Sequence, residues 1–475
     1  MTIIYAPNIY LFAFQLYKAS NLNKKLEKQE IKLWLTADKL VKETLNQSSQ
    51  ITSNIVDNFH EPQGLRVPLK KNYQDGGISS INLEYKIPEN NQNPDPGISI
   101  RGFAYPFRID DSYGLFLNLS ALEKESDNNQ NRTKHIDIDL LSTLKPQNCF
   151  KYQPSDEYFL GQTLLITAWI TPEDKKNQTK PYDIAQKYLN AISLKPEFNR
   201  QGKLFGSPIF EYGLLSQLDN YQHVIIWLFD DEKAEEKLNR CYQQLLDLFF
   251  FRSKVIKAYQ RSRIIYQNIA AAYDQIENTI QQIKSNTESN NLTTEILNNL
   301  TNTLKDLSEK SLEYTHLLRN LKDYQNTIDI HSNNYQEKLR QISAATQDDN
   351  LSILETFYEH NCERFYKQIN ADIGYFEQGL TLLEQATASI RGIVEIEQTK
   401  RDRNLNTTIN TLGIGFGGGA IISGVVVQHI DKINQPLDLN LSFNKPLHPF
   451  YASLFISIAA TLSLCLISWL FFRRK

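Results

Sequence analysis

The chain has 475 residues, room for roughly two or three domains, and its 51 basic and 54 acidic residues leave a formal net charge of -3, too balanced for a nucleic-acid binder. Cys149, Cys241, Cys362 and Cys465 are scattered without a CxxC pair, which suggests neither a zinc cluster nor a disulfide framework and fits a reducing compartment. The apolar tract from Met1 to Leu16 lacks a basic leader and a small-residue cleavage site, so it is expected to belong to the first folded domain and not to act as a signal peptide.

Residues 1–230 predict a cytoplasmic α/β domain. Strand-like runs cover Ile9 to Leu16, Ile98 to Ala104, Tyr113 to Leu119 and Leu164 to Ile170, and helical runs cover Ile31 to Leu45 and Tyr182 to Ile192. Polar or proline-containing stretches at Glu89 to Pro96, Glu125 to Lys134 and Thr171 to Lys180 predict loops. The last strand is His223 to Phe229, HVIIWLF, whose unbroken apolar run predicts burial on both faces. Asp230 and Asp231 then suit a helix start. Within KHIDIDL, His135, Asp137 and Asp139 would project from one strand face and form a candidate divalent-metal site, although a half-exposed strand shows the same alternation. Adjacent aspartates, as at Asp110 with Asp111 and Asp230 with Asp231, are commonly turn or cap residues.

Residues 231–404 predict a stalk of three long helices, with breaks near 285–291 and 344–350. Apolar residues keep three-four spacing, most regularly in Leu297, Leu300, Leu304, Leu307, Tyr314, Leu318 and Leu321. The third helix, from Leu351, has no stop before Arg403, a run of ~80 Å at 1.5 Å per residue, and it fits a lever as well as a spacer. The basic segment Phe250 to Arg263, FFRSKVIKAYQRSR, is a candidate contact for anionic lipid or a nucleotide; its simpler account is a solvated face of Arg252, Lys254, Lys257, Arg261 and Arg263. His360, Cys362 and Glu363 lack the HExxH spacing of a zinc helix. No nucleophile elbow or phosphate loop occurs, so no enzyme activity is expected.

Residues 405–475 predict a transmembrane hairpin, with charge-free spans of about 20 residues at Ile409 to Val427 and Phe450 to Phe472. Lys400, Arg401 and Arg403 precede the first and Arg473, Arg474 and Lys475 close the second, which predicts cytoplasmic termini in the inner membrane. Asn406 with Asn410 and Thr407 with Thr411 are four residues apart, so each pair occupies one helix face and in an oligomer is a candidate pore lining, together with Gly417 and Gln428, whereas in a monomer the pairs would sit in the headgroup interface. Gly413, Gly415, Gly418, Gly419 and Gly424 supply small-xxx-small packing or a hinge. The GxGxxG match at Gly413, Gly415 and Gly418 lies in an apolar span and does not predict nucleotide binding.

The α/β domain, the long helix entering the membrane, the hairpin, the basic tail and the entry sequence RDRNLNTTINTLGIG together resemble the CorA family of divalent-cation channels. The resemblance implies a homopentamer whose first membrane helix lines a central pore, with Mg²⁺ or another divalent ion as cargo or regulator, no required cofactor, and Asp110 with Asp111 or Asp230 with Asp231 as candidate cation sensors between subunits. It departs at the family's Gly-Met-Asn signature: the corresponding place reads Gly424, Val425, Val426, Val427, Gln428, and Met1 is the only methionine. The expected fold class is therefore an α+β membrane protein, and the expected function is a divergent oligomeric cation channel. Two alternatives share the scaffold. One is a ligand-gated membrane effector in defence signalling, of the type III CRISPR-associated kind, which would bind a small molecule or nucleotide; the other is a non-conducting tether.

Overall fold

The computed structural model describes residues 3–16, 31–45, 51–56, 66–71, 79–86, 99–121, 135–138, 141, 158–218, 221–287, 293–348, 350–429 and 449–473. The expected loops at Glu89 to Pro96 and Glu125 to Lys134, and Asp139 of the candidate metal site, lie outside them.

Ten described strands form one sheet: β1 (Ile3–Leu16), β2 (Arg66–Pro68), β3 (Ile81–Lys86), β4 (Ser99–Ile109), β5 (Ser112–Ala121), β6 (His135–Asp137), β7 (Phe159–Trp169), β8 (Phe198–Leu204), β9 (Ser207–Tyr212) and β10 (His223–Phe229). Their order is β2-β4-β5-β1-β7-β10-β9-β8, with β3 also on β4 and β6 also on β1. The expected α/β pattern is corrected here. Only β10 and β7 pair in parallel, and every other described pair is antiparallel. The apolar runs arise because both faces are covered, which does not require parallel strands.

Side-chain alternation shows the two faces. Ile9, Leu11 and Ala13 of β1 join Leu164 and Ile166 of β7 and Val224 and Ile226 of β10 in one core with Trp34 and Val41 of α1 (Lys32–Leu45) and Ile184 and Tyr188 of α3 (Pro181–Ala191). From the other face Phe12 meets Phe249, at 5.0 Å between ring centroids, and Phe14 meets Phe250 at 5.4 Å. Those partners belong to α4 (Glu232–Thr287), so the sheet lies between short helices and the base of a long one. The segment expected as a loop at Thr171 to Lys180 contains a short helix, α2 (Pro172–Lys176), because Pro172 suits the first helical position and Thr171 accepts from Asp174 N–H at 3.1 Å.

The stalk helices are α4, α5 (Thr294–Thr346), and a third composed of α6 (Ser352–Thr356), a π-helical turn at Phe357–Cys362, and α7 (Glu363–His429). Two compact units result: Met1–Ala270 with His316–Phe376, and Ala271–Thr315 with Glu377–Lys475. In the first, Arg263 of α4 pairs with Asp372 of α7, and Gln325 of α5 donates to Asn370 at 3.0 Å. In the second, Arg401 donates to Thr294 Oγ1 at 2.9 Å and Gly379 faces Tyr314. The α5 contacts therefore run opposite to those of α7. A Cβ at Gly379 would stand 2.7 Å from Tyr273 and Tyr314, so only glycine permits this approach.

The C-terminal helix is α8 (Pro449–Arg473). Among the described residues, its Leu454–Phe471 segment alone is long and apolar enough to cross a membrane by length and composition. The other expected span, from Ile409 to Val427, is helical as the end of α7.

Trp34 is fully buried against Tyr113 at 5.6 Å between ring centroids. Trp34→Ala should destabilise the sheet unit by about 3–5 kcal/mol, seen as a lower denaturant midpoint at unchanged slope.

Candidate functional site

Two places carry polar chemistry in apolar surroundings. The first is where the sheet meets the long helices. Glu211 of β9 is 5% exposed in its side chain, and Arg252 of α4 is 4% exposed. One Arg252 terminal nitrogen donates to Glu211 Oε1 at 2.8 Å and to the Tyr221 hydroxyl at 2.9 Å. Arg200 Nε donates to the other Glu211 oxygen at 2.6 Å. Although burial opposes ionisation, the Arg252 charge and the bonds around it hold the Glu211 carboxyl below the usual range, so it is a carboxylate.

A carboxylate can only accept, which fixes the histidine beside it. His223 donates from Nε2 to Glu211 Oε1 at 3.2 Å, while its Nδ1 accepts the Thr163 hydroxyl at 2.8 Å. Burial first, and then the Arg252 charge, push His223 down to about 4, so the ring is neutral at neutral pH. The arginine continues the chain of contacts to the third helix, lying 4.1 Å over the Phe357 ring at the π-helical turn. Phe357 also packs on Tyr335 at 5.1 Å between centroids, and the Tyr335 hydroxyl donates to Leu354 O at 2.9 Å.

Further ion pairs bind the same layers. Asp247 of α4 meets Arg66 of β2 at 3.0 Å and Lys338 of α5 at 3.1 Å, and Lys254 pairs with Asp111 in the β4–β5 turn. Burial raises the Asp247 carboxyl despite both cations. His331 of α5 stacks on Phe251 at 5.7 Å; burial first, then Lys254, push it down to about 4. The solvated basic face expected for the Phe250 to Arg263 segment is corrected here: Arg252, Lys254 and Lys257 are each at most 5% exposed. Asp110 and Asp111 form the β4–β5 turn, with Asp110 at φ 47°, and Asp231 accepts from Ala234 N–H at 3.3 Å as a helix cap. Two narrow clefts share His223 and Arg252, with volumes of about 30 and 10 Å³, which admit water and no organic ligand.

The second place is the end of α7 against α8. A Cβ at Gly415 would overlap Cys465 Sγ, one at Gly418 would overlap Leu464, and one at Gly419 would overlap Thr461 Oγ1. Contacts advance along α7 as they retreat along α8, so the two helices pack antiparallel. Gly415, Gly418 and Gly419 therefore serve close packing. Thr411 shares that side: it is 9% exposed, its carbonyl lies 3.8 Å from Cys465 Sγ, and its hydroxyl donates to Thr407 O at 2.7 Å. Thr407 is half-buried.

Asn406 and Asn410 are exposed, and nothing lies within 4 Å of a Cβ placed at Gly413, Gly417 or Gly424. At 100° per residue these five residues fall on the helix face turned away from α8, and Gln428 follows Gly424 at the same four-residue spacing. The structure thus separates the threonine and asparagine pairs that sequence spacing alone placed together. His135 and Asp137 lie on β6, and among the described residues no three His, Cys, Asp or Glu side chains are grouped to hold a metal ion.

Arg252→Met should cost about 3–5 kcal/mol, because it strands the Glu211 charge in the interior, and the double variant with Glu211→Gln should recover part of the loss in equilibrium unfolding. The two buried histidines set a pH window. Below about 6.5 the unfolded chain takes up protons that the folded His223 and His331 refuse until about 4. Stability is thus complete above 6.5 and falls on acidification by about 1.4 kcal/mol per pH unit per histidine. His331→Leu should remove its share of that slope in melts between pH 6.5 and 4.

No protein-family model, curated protein or solved structure matches this chain, so its function has to be read from these two places.

Proposed function

We propose that the protein is a homo-oligomeric ion channel of the cytoplasmic membrane, with α7 and α8 crossing as a two-helix hairpin and both termini cytoplasmic. One observation carries this: the face of α7 turned away from α8 holds Asn406, Asn410, Gly413, Gly417 and Gly424, all exposed. An amide side chain facing lipid is costly, so in a bilayer this face requires another helix or water. Other exposed parts of the hairpin suit lipid, with Phe416, Phe455, Leu462 and Leu466 each at least 61% exposed.

The exposed line also has a period that suits self-association. Leu382, Ser389, Ile396, Arg403, Asn410, Gly417 and Gly424 recur every seven residues, and all are exposed. A seven-residue seam packs against copies of itself, and asparagine layers within it specify register. Around a symmetry axis, Asn406 and Asn410 would form rings of uncharged amides whose oxygens can replace part of a cation's hydration. The resemblance to CorA supports five copies and divalent cations, Mg²⁺ included, as cargo. Val425, Val426 and Val427 at the far end supply no oxygen ligand from their side chains and count against Mg²⁺ selectivity of the usual kind.

Purified protein in liposomes should pass cations, and Asn410→Leu should lower that flux roughly tenfold while leaving the oligomer's native mass unchanged. A monomer in detergent, or an intact oligomer in tight liposomes, would overturn conduction; the latter would leave a membrane tether.

A further inference from the structure

The turn between α6 and α7 has a property that the channel reading does not use. From Ile353 to Phe376 of the third stalk helix the buried apolar residues are Ile353, Leu354, Phe357, Cys362, Phe365, Ile369, Ile373 and Phe376. Their spacing is three or four from Leu354 onward, except for the step of five from Phe357 to Cys362. The π-helical turn spans those six residues, and it accommodates one residue more than an α-helical path between the same two core positions. Glu359 and His360, within the turn, are exposed.

Both ends of this turn are fixed, upstream by residues of α4, α5 and β8 and downstream by residues of α4. Upstream, Phe357 is held by the Arg252 guanidinium and by Tyr335, while Ile353 lies against Gly202 of β8, where a Cβ would stand 3.2 Å away. Downstream, Phe365 stacks on Tyr259 of α4 at 3.8 Å between centroids, and Asp372 pairs with Arg263. Upstream, Arg252 of α4 connects the turn to the β8–β9 hairpin through Glu211 and Arg200, and Ile353 meets that hairpin directly; the downstream contacts named here are to α4 alone.

We infer that Phe357–Cys362 is a register switch, in which loss of the π turn turns α7 about 100° and advances it about 1.5 Å along its axis. In the advanced register Asn361 takes the place of Cys362, and Cys362 leaves the core. The contacts on the two sides of the turn together hold the π form, so a displacement of the β8–β9 hairpin against the α4 contacts downstream biases the switch. Any effect on ion passage rests on the proposed channel function; the switch itself does not.

Deleting His360 should test the switch, because it removes the extra residue and fixes the present register as unbroken α-helix. In the full chain carrying Cys149→Ser, Cys241→Ala and Cys465→Ala, maleimide labelling of Cys362 should be at least about tenfold slower after the deletion, with the melting temperature retained. Deleting Lys367, in regular helix, should instead lower the melting temperature, since no bulge absorbs the shift. In the chain with all its cysteines, amide exchange across 357–365 should be slower after the His360 deletion. Equal labelling and exchange with and without His360, or a deletion that destabilises as much as loss of Lys367, would overturn the switch. None of these measurements depends on ion flux.

Discussion

The structure depends on one buried carboxylate. Glu211 stands where a sheet, the base of one long helix and the turn of another meet, and it is held ionised by Arg252 and Arg200. Isolated charges do not persist in such surroundings, so the carboxylate dictates much around it: the orientation of Arg252, the tautomer of His223, and the position of Tyr221. A hydrophobic substitute of similar size could fill the space, but it would not specify which rotamers meet. The ionic layer therefore contributes specificity to an interface in which the aromatic rings of Phe12, Phe14, Phe249 and Phe250 supply the burial.

The same layer explains why α4 differs from its neighbours. Regular stalk helices need one apolar stripe, yet α4 around residues 249–257 is buried on nearly all sides by the sheet and by α5. Its cations cannot reach solvent and must find carboxylates within the fold. Those carboxylates come from far along the chain: Glu211 is 41 residues from Arg252, and Asp111 is 143 residues from Lys254. Sequence periodicity reports a stripe but not such partners, which is why the segment reads as a solvated basic face until it is folded.

Elsewhere legibility follows local determinants. His223 to Phe229 is found residue for residue because six of its seven residues are apolar or aromatic and suit a strand covered on both faces. The long helices follow from their heptads and from the near absence of proline and glycine. The β8–β9 hairpin is missed because FNRQGKL, at the sheet edge, is polar on both sides; its signal is the two-residue turn at Phe205 and Gly206, with φ of 52° and 87°. Strand direction is also hidden, since burial on both faces looks alike in parallel and antiparallel sheets. At the C-terminal end of α7, the Asn406 and Asn410 face is legible from four-residue spacing, whereas the inward turn of Thr411 depends on where α8 packs, which spacing on α7 alone does not determine. The five-residue step from Phe357 to Cys362 is visible in the sequence once both are known to be buried.

The contact of Gly415, Gly418 and Gly419 with α8 has a mechanical consequence. Backbone surfaces that leave no room for a methyl group interlock, so α7 cannot slide past α8 without lifting away from it. In the proposed membrane hairpin, an axial step of α7 would carry α8 through the same distance, moving the ends of both apolar segments against the headgroups. The work of that step would then depend on how closely helix length matches the hydrocarbon thickness, and a thicker or thinner bilayer would favour one register over the other. In that hairpin the lipid would act as a load on the pair, transmitted through three glycines that face α8.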